Sequence, residues 1–115
     1  MRQRIITVPK DKKAEEALDY DTARQEQLIE LSLEEADFYF LHQSGIIELI
    51  NKIGDANIDD YEDDVVCGKE NLNKIIAAIQ LNEPPENDSN YQLVNNLLTL
   101  FKEAINRNTG VYFYF

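Results

Sequence analysis

QLIELSL, residues 27–33, can be read as either of two elements, and the choice decides the fold. Ile29, Leu31 and Leu33 alternate with Glu30 and Ser32, the period of two expected of a half-buried strand. A helix running through Leu28, Leu31 and Glu35 competes with that reading. We take the strand, on that alternation, and two further segments read as strands. RIITV, residues 4–8, is a β-branched run ended by Pro9, which fixes its φ and has no N–H to continue a ladder. VYFYF, residues 111–115, has high β propensity and would be an aggregation hazard if left unpaired. It is expected to pair with residues 4–8, with 27–33, or with both.

The remaining periodicity is helical. DKKAEEALDY places Ala14, Ala17 and Leu18 at helical spacing, although its charge would also suit a mobile connection. Ser32-Leu33-Glu34-Glu35 fits a capping box, with a helix following to about His42. Gly45 interrupts that helix. Ile46, Ile47, Leu49, Ile50 and Ile53 then form the apolar stripe of another, stopped at Gly54. Leu72, Ile75, Ile76 and Ile79 mark a helix that ends before Pro84-Pro85, since a residue preceding proline is pushed out of the helical region. EPPENDSN reads as a loop. From Asn90 a long helix carries Tyr91, Val94, Leu97, Leu98, Phe101 and Ile105, with Gly110 as its stop. The expected architecture is a single α+β domain over residues 1–115, with a small, mostly antiparallel sheet packed on three to four helices.

Length and composition support a chain that folds alone. At 115 residues with 43% hydrophobic and 29% charged residues, it lies inside the globular range. No apolar run approaches the roughly 20 residues needed to span a bilayer. The start MRQRIITVPK lacks the apolar core of a signal peptide, so the cytoplasm is the expected compartment. A single cysteine, Cys67, cannot form an internal disulfide.

Charge is the most informative bulk property. The chain has 11 basic and 22 acidic residues, for a net −11. Residues 1–13 carry a net +4, which leaves −15 on the other 102. Such a body repels nucleic acid and anionic lipid, whose binding depends on Lys and Arg. It attracts basic proteins. The acid is densest in GDANIDDYEDDVV, residues 54–66, which holds Asp55, Asp59, Asp60, Glu62, Asp63 and Asp64 around Tyr61. Ile58 and the pair Val65-Val66 are the expected anchors of this irregular segment in the core.

Several chemistries can be weighed against these residues. Asp55-x-Asn57-x-Asp59 matches the first three ligand positions of a calcium loop. The match then fails, because Asp60 stands where the turn needs glycine and Val66 where a bidentate glutamate closes the cage. His42, the only histidine, is favoured at a helix end by the dipole alone. Cys67 has no basic neighbour before Lys69 to lower its pKa and reads as a small, partly buried residue. The four glycines are isolated, so no phosphate-binding loop exists. These readings lead to an expectation of no catalytic residue, no metal and no cofactor. What remains is a binding surface: Asp55, Asp59, Asp60, Tyr61, Glu62, Asp63 and Asp64, with Glu34, Glu35 and Asp37 as a second group. Charge would speed encounter and the aromatic would supply a desolvated anchor.

LSLEEADFYFLHQSGIIELIN, IDDYEDD and the C-terminal GVYFYF together resemble the small bacterial immunity proteins of polymorphic toxin and contact-dependent growth inhibition systems. The resemblance covers about residues 27–115. It implies a non-enzymatic protein that binds a cognate toxin domain one to one, often a basic nuclease, and covers its active site or an adjacent surface. An acidic regulatory, adaptor or antitoxin-like inhibitor of another basic protein is the alternative.

Overall fold

The period-two reading of residues 28–33 is the one the chain adopts. In the structure, a computed structural model that describes residues 3–59 and 62–115, four strands form one antiparallel sheet. They are β1 (Arg4–Pro9), β2 (Leu28–Leu33), β3 (Asp64–Val66) and β4 (Val111–Tyr114), in the order β2-β1-β4-β3. Pro9 closes β1 opposite Leu28, where its missing N–H costs no interior rung. The five helices are α1 (Lys12–Asp19), α2 (Glu35–Gln43), α3 (Ile46–Gly54), α4 (Lys69–Leu81) and α5 (Tyr91–Arg107). The fold is a small α+β fold. No helix among the described residues is long and apolar enough to cross a membrane.

Register sorts the side chains onto two faces. Arg4, Ile6 and Val8 stand opposite Leu33, Leu31 and Ile29, while Phe113 stands opposite Ile6 and Val111 opposite Val66. Helices α2 to α5 supply the other half of this core. Leu97, Phe101 and Ala104 of α5, Leu72 and Ile75 of α4, and Ile47 and Ile50 of α3 are all buried. Each large apolar side chain so buried is worth about 1.5–3 kcal/mol, and together they offset the cost of ordering the chain. Phe113 packs at 6.4 Å from Phe101 and 5.8 Å from Phe115, ring centre to ring centre. The opposite face carries Ile5, Thr7, Tyr112, Tyr114 and Val65. Helix α1 lies over it, burying Ala14 and receiving a hydrogen bond from the Tyr112 hydroxyl.

The structure departs from the sequence expectations at several points. Strand β4 pairs with β1, one of the partners expected for it, and adds β3 in place of residues 28–33, which pair with β1 alone. The segment expected to be irregular contains β3, so the sheet has a fourth strand. Only half of the Val65-Val66 anchor is buried, because alternation turns Val65 to the outer face, 36% exposed, and Val66 inward. Ser32 does not cap α2. It is paired with Ile5 in the sheet, so the chain cannot turn until Glu34, whose N–H donates to Asp37 at 3.0 Å. Helix α1 is formed rather than a mobile connection, capped by Asp11, and this brings the number of helices to five.

Two glycines expected to act as helix stops serve close packing. The left-handed residues after α3 and α5 are Asp55 and Asn108, with φ 53° and 56°. A Cβ at Gly54 would stand 2.8 Å from Cγ1 of Val66, and one at Gly110 would stand 3.1 Å from the Val66 carbonyl. Both glycines therefore allow β3 to lie close against its neighbours. Cys67 is exposed rather than partly buried.

Candidate functional site: an acidic sheet end and a tyrosine face

The register brings distant acidic segments to one end of the sheet. Leu33 ends β2 beside Arg4, Ile5 lies beside Tyr114, and Asp64 begins β3 beside Phe113. This row crosses three strand spacings, about 14 Å. Glu34, Glu35 and Asp37 leave it at one side as α2 begins, and the acidic stretch enters it at the other. Arg4, only 7% exposed, forms an ion pair with Glu35 and lies 3.9 Å above the Phe38 ring. Phe38 meets Phe115 edge-on at 5.2 Å, and the Phe115 N–H donates to Asp63 at 3.1 Å. A continuous run of contacts thus joins the two groups of carboxylates proposed from sequence.

Within the acidic stretch the carboxylates have unequal work. Asn51 of α3 clamps Ile58 from both sides: its amide donates to the Ile58 carbonyl at 2.8 Å and accepts the Ile58 N–H at 2.7 Å. Asp64 accepts the Asn57 N–H at 2.7 Å and its own neighbour's, Val65, at 2.8 Å. Asp63 and Asp64 are therefore built into the backbone of the loop. Asp55, Asp59 and Glu62 are exposed, with the Glu62 N–H donating to the Asp59 carbonyl at 3.0 Å. Asp60 and Tyr61, both proposed as contacts, lie outside the described residues. Among the described residues no three of His, Cys, Asp or Glu are placed to hold a metal ion. His42 sits in the last turn of α2 with its ring 4.5 Å from that of Phe38.

A second part of the surface was not singled out from sequence. Tyr112 and Tyr114 project side by side from the outer face, ring centres 6.5 Å apart and planes within 20°. The Tyr112 hydroxyl donates to Glu15 at 3.2 Å. Burial raises the pKa of Tyr114 to about 12, reinforced by the charges of Asp63, Asp19 and Asp21. Tyr112 is raised too, by burial first and then by Glu15 and Asp19. After burial, both phenols thus feel the charges of α1, the turn after it, and Asp63. Between β3 and β4 they floor an open depression of about 270 Å³, lined also by Asp63, Asp64 and Val65. The signal was present in VYFYF, where alternation sends both tyrosines to one face and the phenylalanines to the other. The four-residue spacing of Glu15 and Asp19 on a helix was a second clue.

An α+β fold with an acid-rimmed sheet end can then be compared with known proteins. No family model matches the chain, and no curated protein matches it. Among solved structures, the chain is similar to the Neisseria DNA mimic protein DMP12, with a TM-score of 0.63 and 19% identity over 100% of both chains. At that identity the likeness is one of fold.

Proposed function

We propose that this protein binds a basic, nucleic-acid-binding protein by presenting carboxylates where that partner expects phosphates, and so blocks its access to DNA or RNA. The observation that carries the reading is convergence. Acids from four separate stretches, Glu15 and Asp19, Asp21, Glu34 to Asp37, and Asp63 and Asp64, gather around one end and the outer face of a four-stranded sheet. A protein that grips phosphates must expose Lys and Arg, and a rigid anionic surface competes for that groove. The full-length likeness in fold to a DNA mimic protein supports the same reading. An immunity role against a basic nuclease toxin is this proposal with a narrower partner, and a regulatory inhibitor of another basic protein is its alternative.

The expected complex is one to one and buries on the order of 1,600 Å². Its association slows as salt rises, because the encounter is steered by charge. The test is co-expression with the products of neighbouring genes, affinity capture, and competition on the purified partner. Duplex DNA or RNA should displace the protein from that partner in proportion to concentration. A partner held equally well with saturating nucleic acid present, at a rate indifferent to salt, overturns the proposal.

A further inference from the structure

The depression between β3 and β4 combines an aromatic floor with a held carboxylate, that of Asp63. Its volume, about 270 Å³, is below the range of about 300–1,000 Å³ usual for small-molecule sites and suits a single long side chain. Tyr112 and Tyr114 line it with nearly parallel rings, and the exposed Val65 adds an apolar wall. Asp64 alternates to the other face, opposite Phe113, where its two oxygens accept the Asn57 and Val65 N–H groups; the carboxylate beside Tyr114 is that of Asp63, which accepts the Phe115 N–H at 3.1 Å. Held in this way, it loses little freedom on meeting a cation. The carboxylates that add to burial in raising the two phenols, Asp63, Glu15, Asp19 and Asp21, also favour a positive guest.

We infer that this depression receives an arginine side chain of the basic partner, with the guanidinium plane against Tyr112 and Tyr114 and its N–H groups directed to Asp63. The inference rests on the proposed function, whose partner must carry exposed arginine or lysine. Arginine is the occupant because its planar cation both stacks on aromatic rings and forks onto carboxylates, whereas the ammonium of lysine is a compact, strongly hydrated point charge. Nucleic-acid-binding surfaces are rich in the side chain that this site selects.

The test needs no partner. The protein is titrated with N-acetyl-arginine amide, N-acetyl-lysine amide and N-acetyl-citrulline amide, and the NMR signals of Val65, Tyr112 and Tyr114 are followed. Saturable shifts at these residues are expected with the arginine probe, at a dissociation constant of order millimolar. The lysine probe should bind about threefold to tenfold more weakly and citrulline not measurably. Y112F/Y114F, which keeps both rings, should retain the effect, and Val65→Lys, a change at an exposed position, should abolish it by filling the depression with a tethered ammonium. Equal response to arginine and lysine, or shifts spread over the whole acidic surface, overturns the inference. Because the probe is a single amino acid, that result leaves the proposed competition with nucleic acid standing, and failure of the competition leaves the selectivity of the depression measurable on its own.

Discussion

Asn51→Ala should be among the most damaging single polar substitutions in this chain. The Asn51 side chain satisfies both backbone groups of Ile58, at 2.8 and 2.7 Å, and Ile58 is 2% exposed. Alanine leaves an N–H and a C=O without partners under a buried side chain. Leaving a buried polar group unsatisfied costs about 1–3 kcal/mol, and Asn51 is itself half-buried, so a combined loss of about 2–3 kcal/mol is expected. A chain of this length unfolds with an entropy of about 0.24 kcal/mol per degree, which turns that loss into a Tm lower by about 8–12 °C. Asn51→Asp keeps the acceptor for the Ile58 N–H and loses the donor, so it should fall between the two. Asn95→Ala, on the exposed side of α5, is the control and should stay within about 0.5 kcal/mol. Calorimetry and urea unfolding on the four proteins decide the matter. A Tm for Asn51→Ala within about one degree of the parent would show that the loop does not depend on the clamp, and the account of how the acidic stretch is held would fall with it.

Other expectations follow from the same contacts. Asp64→Ala should cost about 1–2 kcal/mol in urea unfolding because two backbone N–H groups lose their acceptor, whereas Glu62→Gln, at an exposed position, should stay within about 0.5 kcal/mol. Thr109→Val removes the hydroxyl that donates to the Pro9 carbonyl at 2.8 Å in a buried setting, and should cost about 1–2 kcal/mol while Thr109→Ser is nearly neutral. Tyr114 ionises near 10 when unfolded and near 12 when folded, so the folded state binds more protons between those values. Its contribution to stability is therefore complete below pH 10 and is lost as the pH rises through 12. Phenolate absorbance should show this late titration, and Asp63→Asn should move it toward lower pH.

The fold was legible wherever one period dominated. Residues 28–33 alternate, α3 and α5 carry continuous apolar stripes, and VYFYF needed a partner. Strand β3 was hidden because three residues contain too little of any pattern, and because its neighbours are carboxylates that read as loop. The capping shift from Ser32 to Glu34 has a tertiary cause: a residue paired with Ile5 cannot also begin a helix. The candidate surface was half visible. Charge density marked residues 55–64 and 34–37, but only the register shows that Asp63 and Asp64 border the same sheet end as Glu34. The acids of α1 and the paired tyrosines are far apart in the chain, and no local pattern announces that residues 15 and 112 touch.

The two central strands, β1 and β4, come from opposite ends of the described chain: Thr7 is paired with Tyr112, and Phe115 is wholly enclosed. On the ribosome, then, the middle of the sheet stays open until residue 114 has cleared the exit tunnel, however early the helices condense. Closure must wait for a loop that spans nearly all of the described residues, which slows folding relative to a helical protein of the same size. During that interval the β1 edge and the Phe101 surface are uncovered, so newly made protein should be most vulnerable to aggregation and proteolysis until β4 docks.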